Sequence, residues 1–126
     1  DLDGKPVDFQ SFRGKPVFLN FWATWCPPCR EEIPSIERLA ANPRLKGIAF
    51  LAVSTEDAGT VRRFVQNGHK NLPAFASPSP PPPVFRNDAV PATFLIAPSG
   101  HIAACQIGSA QWDDPSVVDF LEKLTR

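Results

Sequence analysis

The chain has 126 residues, with 13 Lys and Arg against 13 Asp and Glu, 43% hydrophobic residues and three cysteines. That length is one domain's worth and long enough to bury a core. The neutral balance gives no electrostatic grip on nucleic acid, no apolar run approaches the ~20 residues of a membrane span, and three cysteines are too few for a disulfide-built scaffold.

Methionine is absent, even at position 1. A processed product or an excised domain is therefore expected, which leaves room for a removed signal peptide or anchor. Residues 1–12 read as an extended lead-in. The Asp3-Gly4-Lys5 turn signal between Leu2 and Val7 predicts a short hairpin, and Ser11 to Arg13 predicts one helical turn ended by Gly14. Pro16 to Phe21 is almost continuously apolar, as a strand buried on both faces should be. After Cys26, Ile33, Ile36, Leu39 and Ala40 recur on one face. They predict a helix after Cys26 whose amphipathic run spans Arg30 to Ala41, kinked at Pro34 and ended by Asn42-Pro43. Lys46 to Ser54 holds a second buried strand. Ser54-Thr55-Glu56-Asp57 caps a helix over Ala58 to Asn67, closed by Gly68, and Leu72 to Ala76 is a short strand.

Ser77 to Pro83 reads S-P-S-P-P-P-P, which suits neither helix nor central strand. A stiff polyproline II spacer is expected, with a proline-motif ligand for a partner as the sharper alternative. Thr93 to Ala97 and His101 to Gly108 are strands joined by the Pro98-Ser99-Gly100 turn. Asp113 or Asp114 caps a last helix with Pro115 in its first turn and Val117, Val118, Leu121 and Leu124 on its apolar face. Early strand–helix alternation predicts parallel pairing with helices on both faces, and the late strand pair predicts an antiparallel hairpin.

The chemistry concentrates in Phe21-Trp22-Ala23-Thr24-Trp25-Cys26-Pro27-Pro28-Cys29, where a buried strand hands over to a helix. A helix start offers unpaired N–H groups and a partial positive charge, both favouring a thiolate at Cys26. Cys29 is near enough to attack a mixed disulfide on Cys26 and close the intramolecular bond. Pro27 and Pro28 suit the first helical positions. Pro28 also removes one donor from the thiolate. Trp22 is expected in the core, and Trp25 is expected partly exposed, as an apolar floor for substrate. Cys105 is expected buried and inert beside Ala103 and Ile107, with a regulatory or intermolecular thiol as the alternative. A zinc set of Cys26, Cys29, His101 and Cys105 fails on geometry. Along a strand His101 and Cys105 would lie ~13 Å apart, too far to share one ion. His69 reads as a surface histidine.

Asn20 to Pro34, N-F-W-A-T-W-C-P-P-C-R-E-E-I-P, resembles the active-site segment of the thioredoxin superfamily, in particular its TlpA/ResA-like extracytoplasmic thiol–disulfide oxidoreductases. The resemblance covers most of the chain. It implies an α/β, thioredoxin-like fold over residues 1–126 as a single domain, with a mixed central sheet, helices on both faces and an extra N-terminal β-hairpin. It implies an enzyme that exchanges disulfides with protein clients as a reductant, in cell redox homeostasis and cytochrome c maturation. It further implies a bacterial, periplasmic or outward-facing anchored monomer, an upstream membrane or soluble thiol reductase, no nucleic-acid partner, no metal, and no cofactor beyond the Cys26–Cys29 disulfide.

Residue by residue, the resemblance makes Cys26 and Cys29 the redox pair. Pro91 becomes a cis-proline packed against them, so that Val90 and Pro91 bind an extended substrate together with Trp25, Pro27 and Pro28. Glu32, one turn after Cys29, becomes a group that tunes or carries protons for the resolving cysteine; the plainer reading is a first-turn acid favoured by the helix dipole. Two departures matter. Ordinary thioredoxins carry a buried aspartate where this chain has Asn20, an amide that cannot act as a base and reads as a hydrogen-bonded core residue. Peroxiredoxins place Thr or Ser three residues before their cysteine, where this chain has Ala23; that argues against a peroxiredoxin-like antioxidant. A non-catalytic module holding a protein partner or copper through the same cysteines is the remaining alternative.

Overall fold

The computed structural model describes residues 1–2, 5–7, 9–77 and 90–125. A 3-10 turn, Phe9–Phe12, precedes β1 (Val17–Phe21), α1 (Pro27–Ala40), a second 3-10 turn at Pro43–Leu45, β2 (Ala49–Ser54), α2 (Ala58–Gln66), β3 (Ala74–Ala76), β4 (Ala92–Ile96), β5 (Ile102–Ile107) and α3 (Pro115–Leu124). The strands form one mixed sheet in the order β3-β2-β1-β4-β5. β1 runs parallel to β2 and antiparallel to β4, and β4 pairs antiparallel with β5. This is the thioredoxin-like arrangement.

β1 lies at the centre because both its faces find apolar cover. Phe18 points to one side, into a cluster with Ile33, Ile36 and Leu39 of α1, Val61 of α2, and Val118 and Leu121 of α3. Each such side chain contributes about 1.5–3 kcal/mol when it leaves water. Val17 and Leu19 point to the other side, with Leu51, Phe94 and Ile96.

Helices were expected on both faces. All three α-helices contribute to the Phe18 cluster, and among the described residues the second cluster is joined instead by Phe12 of the first 3-10 turn. The cause is topological. β1, β2 and β3 step outward in one direction, so two right-handed crossovers set α1 and α2 on the same face.

At the N-terminus, the Asp1 α-amino group donates to the Lys5 carbonyl at 2.8 Å and the Lys5 amide to the Asp1 carboxylate at 3.0 Å. The expected hairpin turns on Asp3 and Gly4, which lie outside the described residues; among those described, β1 is the first strand. The single turn expected at Ser11 to Arg13 forms slightly earlier, over Phe9–Phe12, and Gly14 follows with φ +92°, a conformation glycine adopts at little cost. The Pro80 to Pro83 run lies outside the described residues.

α1 begins at Pro27, directly after Cys26, with the two prolines in the first helical positions expected of them, and continues through Pro34. Its first two prolines fill positions whose N–H groups have no intrahelical partner. Cys105 corrects the expectation of a buried thiol: it is exposed and free. β5 is an edge strand, and Cys105 pairs with Phe94 on the face that carries no α-helix among the described residues. Ile107, in the same strand, is exposed as well.

Candidate active site

β1 ends at Phe21, and the chain stays beside β2 for one more residue through a Trp22 N–H to Val53 carbonyl bond of 3.1 Å. Trp22 turns inward, buried against Phe64 with ring centres 5.3 Å apart. The loop then swings out. Trp25 is 68% exposed, and Pro27 and Pro28 are exposed beyond it.

Cys26 is the N-cap of α1, and its Sγ accepts the Cys29 N–H at 3.3 Å. The two cysteines form a disulfide with Cα atoms 5.2 Å apart. Both are buried. The Val90–Pro91 peptide bond is cis, and the Val90 carbonyl oxygen lies 3.7 Å from Cys26 Sγ. Trp25, Pro27 and Pro28 thus form an exposed rim on either side of Cys26 in the chain, and its sulfur meets the Val90 backbone, while Pro91 is itself buried. In the reduced protein the same cap geometry would set the Cys29 N–H and the positive end of the α1 dipole on the Cys26 sulfur, since Pro27 and Pro28 carry no N–H.

Glu32 lies beneath this rim. It is 2% exposed, and its carboxylate accepts three hydrogen bonds. The Asn20 side chain donates to Oε1 at 2.8 Å, the Trp112 indole N–H to Oε2 at 2.8 Å and the Ala110 amide to Oε2 at 3.2 Å. Burial pushes the carboxyl above its ordinary range, and the three donors pull the other way without cancelling it. Asn20 donates a second bond, to Thr93 Oγ1 at 2.8 Å. Ser35 holds this floor in place by accepting the Trp112 amide at 3.1 Å and donating to the Glu32 carbonyl at 2.7 Å.

The opposite side of the loop is fixed by a residue the sequence presents only as part of a helix cap. Glu56 accepts from the Thr24 amide at 2.8 Å, the Thr24 hydroxyl at 2.7 Å and the Ser54 hydroxyl at 2.8 Å. Asp57 is the actual cap of α2, accepting the Thr60 N–H at 2.8 Å, which leaves Glu56 to tie the loop before Cys26 to the end of β2. Trp112, Ala110 and Thr93 were also unread in the sequence. Their partners stand 73 to 80 residues away, beyond any local pattern. Among the described residues no group of three or more His, Cys, Asp or Glu side chains gathers as metal ligands.

The Redoxin family profile matches residues 1–121. The thiol–disulfide oxidoreductase ResA of Bacillus cereus is 30% identical over 127 residues, spanning 99% of this chain and 72% of that protein. A thioredoxin-family thiol:disulfide interchange protein from Chlorobium tepidum superposes with a TM-score of 0.76 at 26% identity, over 96% of this chain and 89% of that one. StoA from Bacillus subtilis shares the fold, with a TM-score of 0.71 at 22% identity over 90% and 84% of the two chains. A profile match across nearly the whole length, and relatives that align through the Cys26–Cys29 helix, place the chain in the Redoxin family as a thioredoxin-fold thiol–disulfide oxidoreductase.

Proposed function

We propose that the protein reduces disulfides in protein clients outside the cytoplasm, with Cys26 as nucleophile and Cys29 as resolving thiol. The observation that carries this is the placement of the Cys26 sulfur at the cap of α1, 3.7 Å from the Val90 carbonyl oxygen and next to exposed Trp25. A client strand lying along Val90 and Pro91 would bring its disulfide to that sulfur.

The reaction balances within the two cysteines and the client. The Cys26 thiolate attacks one client sulfur, the client S–S bond breaks and its second sulfur leaves as thiolate. Cys29 gives up its proton and attacks Cys26, the Cys26–Cys29 disulfide forms, and the first client sulfur leaves. The client gains two electrons and the pair loses two. Glu32 is the buried group one turn from Cys29 that takes or returns the proton. An upstream thiol reductase restores the pair, so no further cofactor is needed. Resemblance to the TlpA/ResA-like branch supports the outward-facing location, a role in cytochrome c maturation, and action as a one-domain monomer.

Cys29→Ser tests the exchange. The variant should accumulate a mixed disulfide between Cys26 and client protein that dithiothreitol releases. No trapped species, together with copper bound by the wild-type pair, would replace exchange by a binding role. Equilibration with glutathione should give a midpoint below about −230 mV, in the range of reductants; a value near about −120 mV would make the protein a disulfide donor.

A further inference from the structure

Glu32 poses a bonding problem that its present partners solve for one protonation state. A buried carboxylate is satisfied by donors, whereas a buried carboxylic acid needs an acceptor for its proton. All three groups on Glu32 donate: Asn20 Nδ2, Trp112 Nε1 and the Ala110 amide. An indole N–H and a backbone N–H never accept. Asn20 can, by a half-turn of its carboxamide.

The geometry favours that half-turn. Asn20 Nδ2 lies 2.8 Å from Glu32 Oε1 and 2.8 Å from Thr93 Oγ1, so it spends both its protons on these two oxygens. Turned over, the amide sets Oδ1 where Nδ2 was, within the same reach of both. Oδ1 has two lone pairs. One accepts the proton on Glu32 Oε1 and the other the hydroxyl proton of Thr93, a group able to donate or accept. Both bonds that Asn20 makes to Glu32 and Thr93 survive with their direction reversed, while Nδ2 moves to the side that Oδ1 held.

We propose that the Asn20 carboxamide is a reversible partner of Glu32, facing the carboxylate with Nδ2 and the carboxylic acid with Oδ1, and that the Thr93 hydroxyl reverses with it. Asn20 is then a positioning residue that lets a sealed carboxyl load and unload a proton with its hydrogen bonds intact. An aspartate at this position would set a second charge at 2.8 Å, and a leucine would serve neither state.

Thr93 stands two residues after Pro91, so its reversal carries the protonation state of Glu32 to the strand that opens at the site rim. The use of this device in exchange rests on the reading that Glu32 carries a proton for Cys29. The half-turn itself does not, so it is tested in the oxidised protein, where the cysteines cannot titrate. β1 presents Asn20 to the carboxyl, β4 presents Thr93 to Asn20, and the segment before α3 presents Ala110 and Trp112 to the carboxyl, all uncharged. Asp113 beyond them is paired with Arg38 at 2.6 Å on the surface.

The test is a pH titration of oxidised, isotope-labelled protein by NMR, following the Glu32 carboxyl carbon and the Asn20 side-chain amide. The two should move with one midpoint. Nuclear Overhauser contacts from the Asn20 amide protons to the Glu32 Hγ and Thr93 methyl protons should be strong above the midpoint and lost below it. Glu32→Gln should abolish the Asn20 step. Contacts unchanged through the Glu32 transition, or no Glu32 transition in the folded range, would overturn the proposal. Asn20→Leu is a second discriminator. It removes a partner from both protonation states, so Glu32 proton affinity should change by less than about tenfold. A rise of about tenfold or more would mark Asn20 as a fixed donor to the carboxylate and refute the reversal.

Discussion

Glu56→Ala should loosen the loop that presents Trp25 and Cys26 while leaving the redox pair in place. The wild-type carboxylate accepts three bonds of 2.7–2.8 Å, two of them from Thr24. A hydrogen bond to a charged group contributes about 1.5–3 kcal/mol when sheltered. Glu56 and Thr24 are only half-buried, and the Thr24 hydroxyl can turn to water, so the sum falls far short of three such bonds. About 2 kcal/mol is the expected loss, chiefly from the Thr24 amide and the sheltered Ser54 hydroxyl. For a chain of this size that corresponds to a fall of roughly 6–12 °C in Tm. Glu56→Gln keeps a carbonyl acceptor but not the charge, and should lose about half as much. Thermal unfolding of the oxidised protein reads the stability, and steady-state reduction of a client disulfide reads the site. KM should rise more than kcat falls, because the loop shapes docking rather than sulfur chemistry. A Glu56→Ala Tm within about 2 °C of wild type would refute the clamp.

Other perturbations follow from the same geometry. Burial raises the Glu32 pKa in the folded state, so its stabilising contribution is complete below the ordinary carboxylate pKa and is lost as pH rises through the folded value. Glu32→Gln should remove that pH dependence, and urea midpoints measured across the same window would show it; an unchanged slope would contradict the assignment. Trp25→Ala should raise KM for a protein client severalfold and leave the midpoint potential unchanged, since Trp25 is exposed and precedes Cys26 in the chain; a shifted potential would refute a docking role. Ile36→Ala, which opens a cavity under β1 in the cluster around Phe18, should cost about 2–5 kcal/mol in denaturant unfolding.

Local pattern made β1 and the helix after Cys26 legible, because an apolar run and a helical stripe carry their period in the sequence itself. The start of α1 was legible from Pro27 and Pro28, but its capping group was not. Its cap is the Cys26 sulfur, and Cys is not a residue that signals a cap. Within the Ser54–Asp57 stretch it is Asp57 that caps α2, since Ser54 is still in β2 and its hydroxyl is engaged with Glu56. Cys105 was misread because alternation says which residues share a face, not whether that face is covered. At the β5 edge it is not. Glu32 could be suspected from its spacing to Cys29. Its floor could not, as Asn20 arrives from β1 and Trp112 from the approach to α3, partners only the closed fold brings together.

The exposed thiol on β5 gives the oxidised protein a chemical handle. Cys26 and Cys29 are tied to each other, so Cys105 is the sulfhydryl available to a maleimide. A dye or spin label attached there sits on a strand hydrogen-bonded to β4, the strand that begins beside Pro91. Such a label becomes one end of a molecular ruler. With a second probe on a client, energy transfer or electron spin distances would report how far along β5 the client reaches, while the disulfide that does the work remains unmodified.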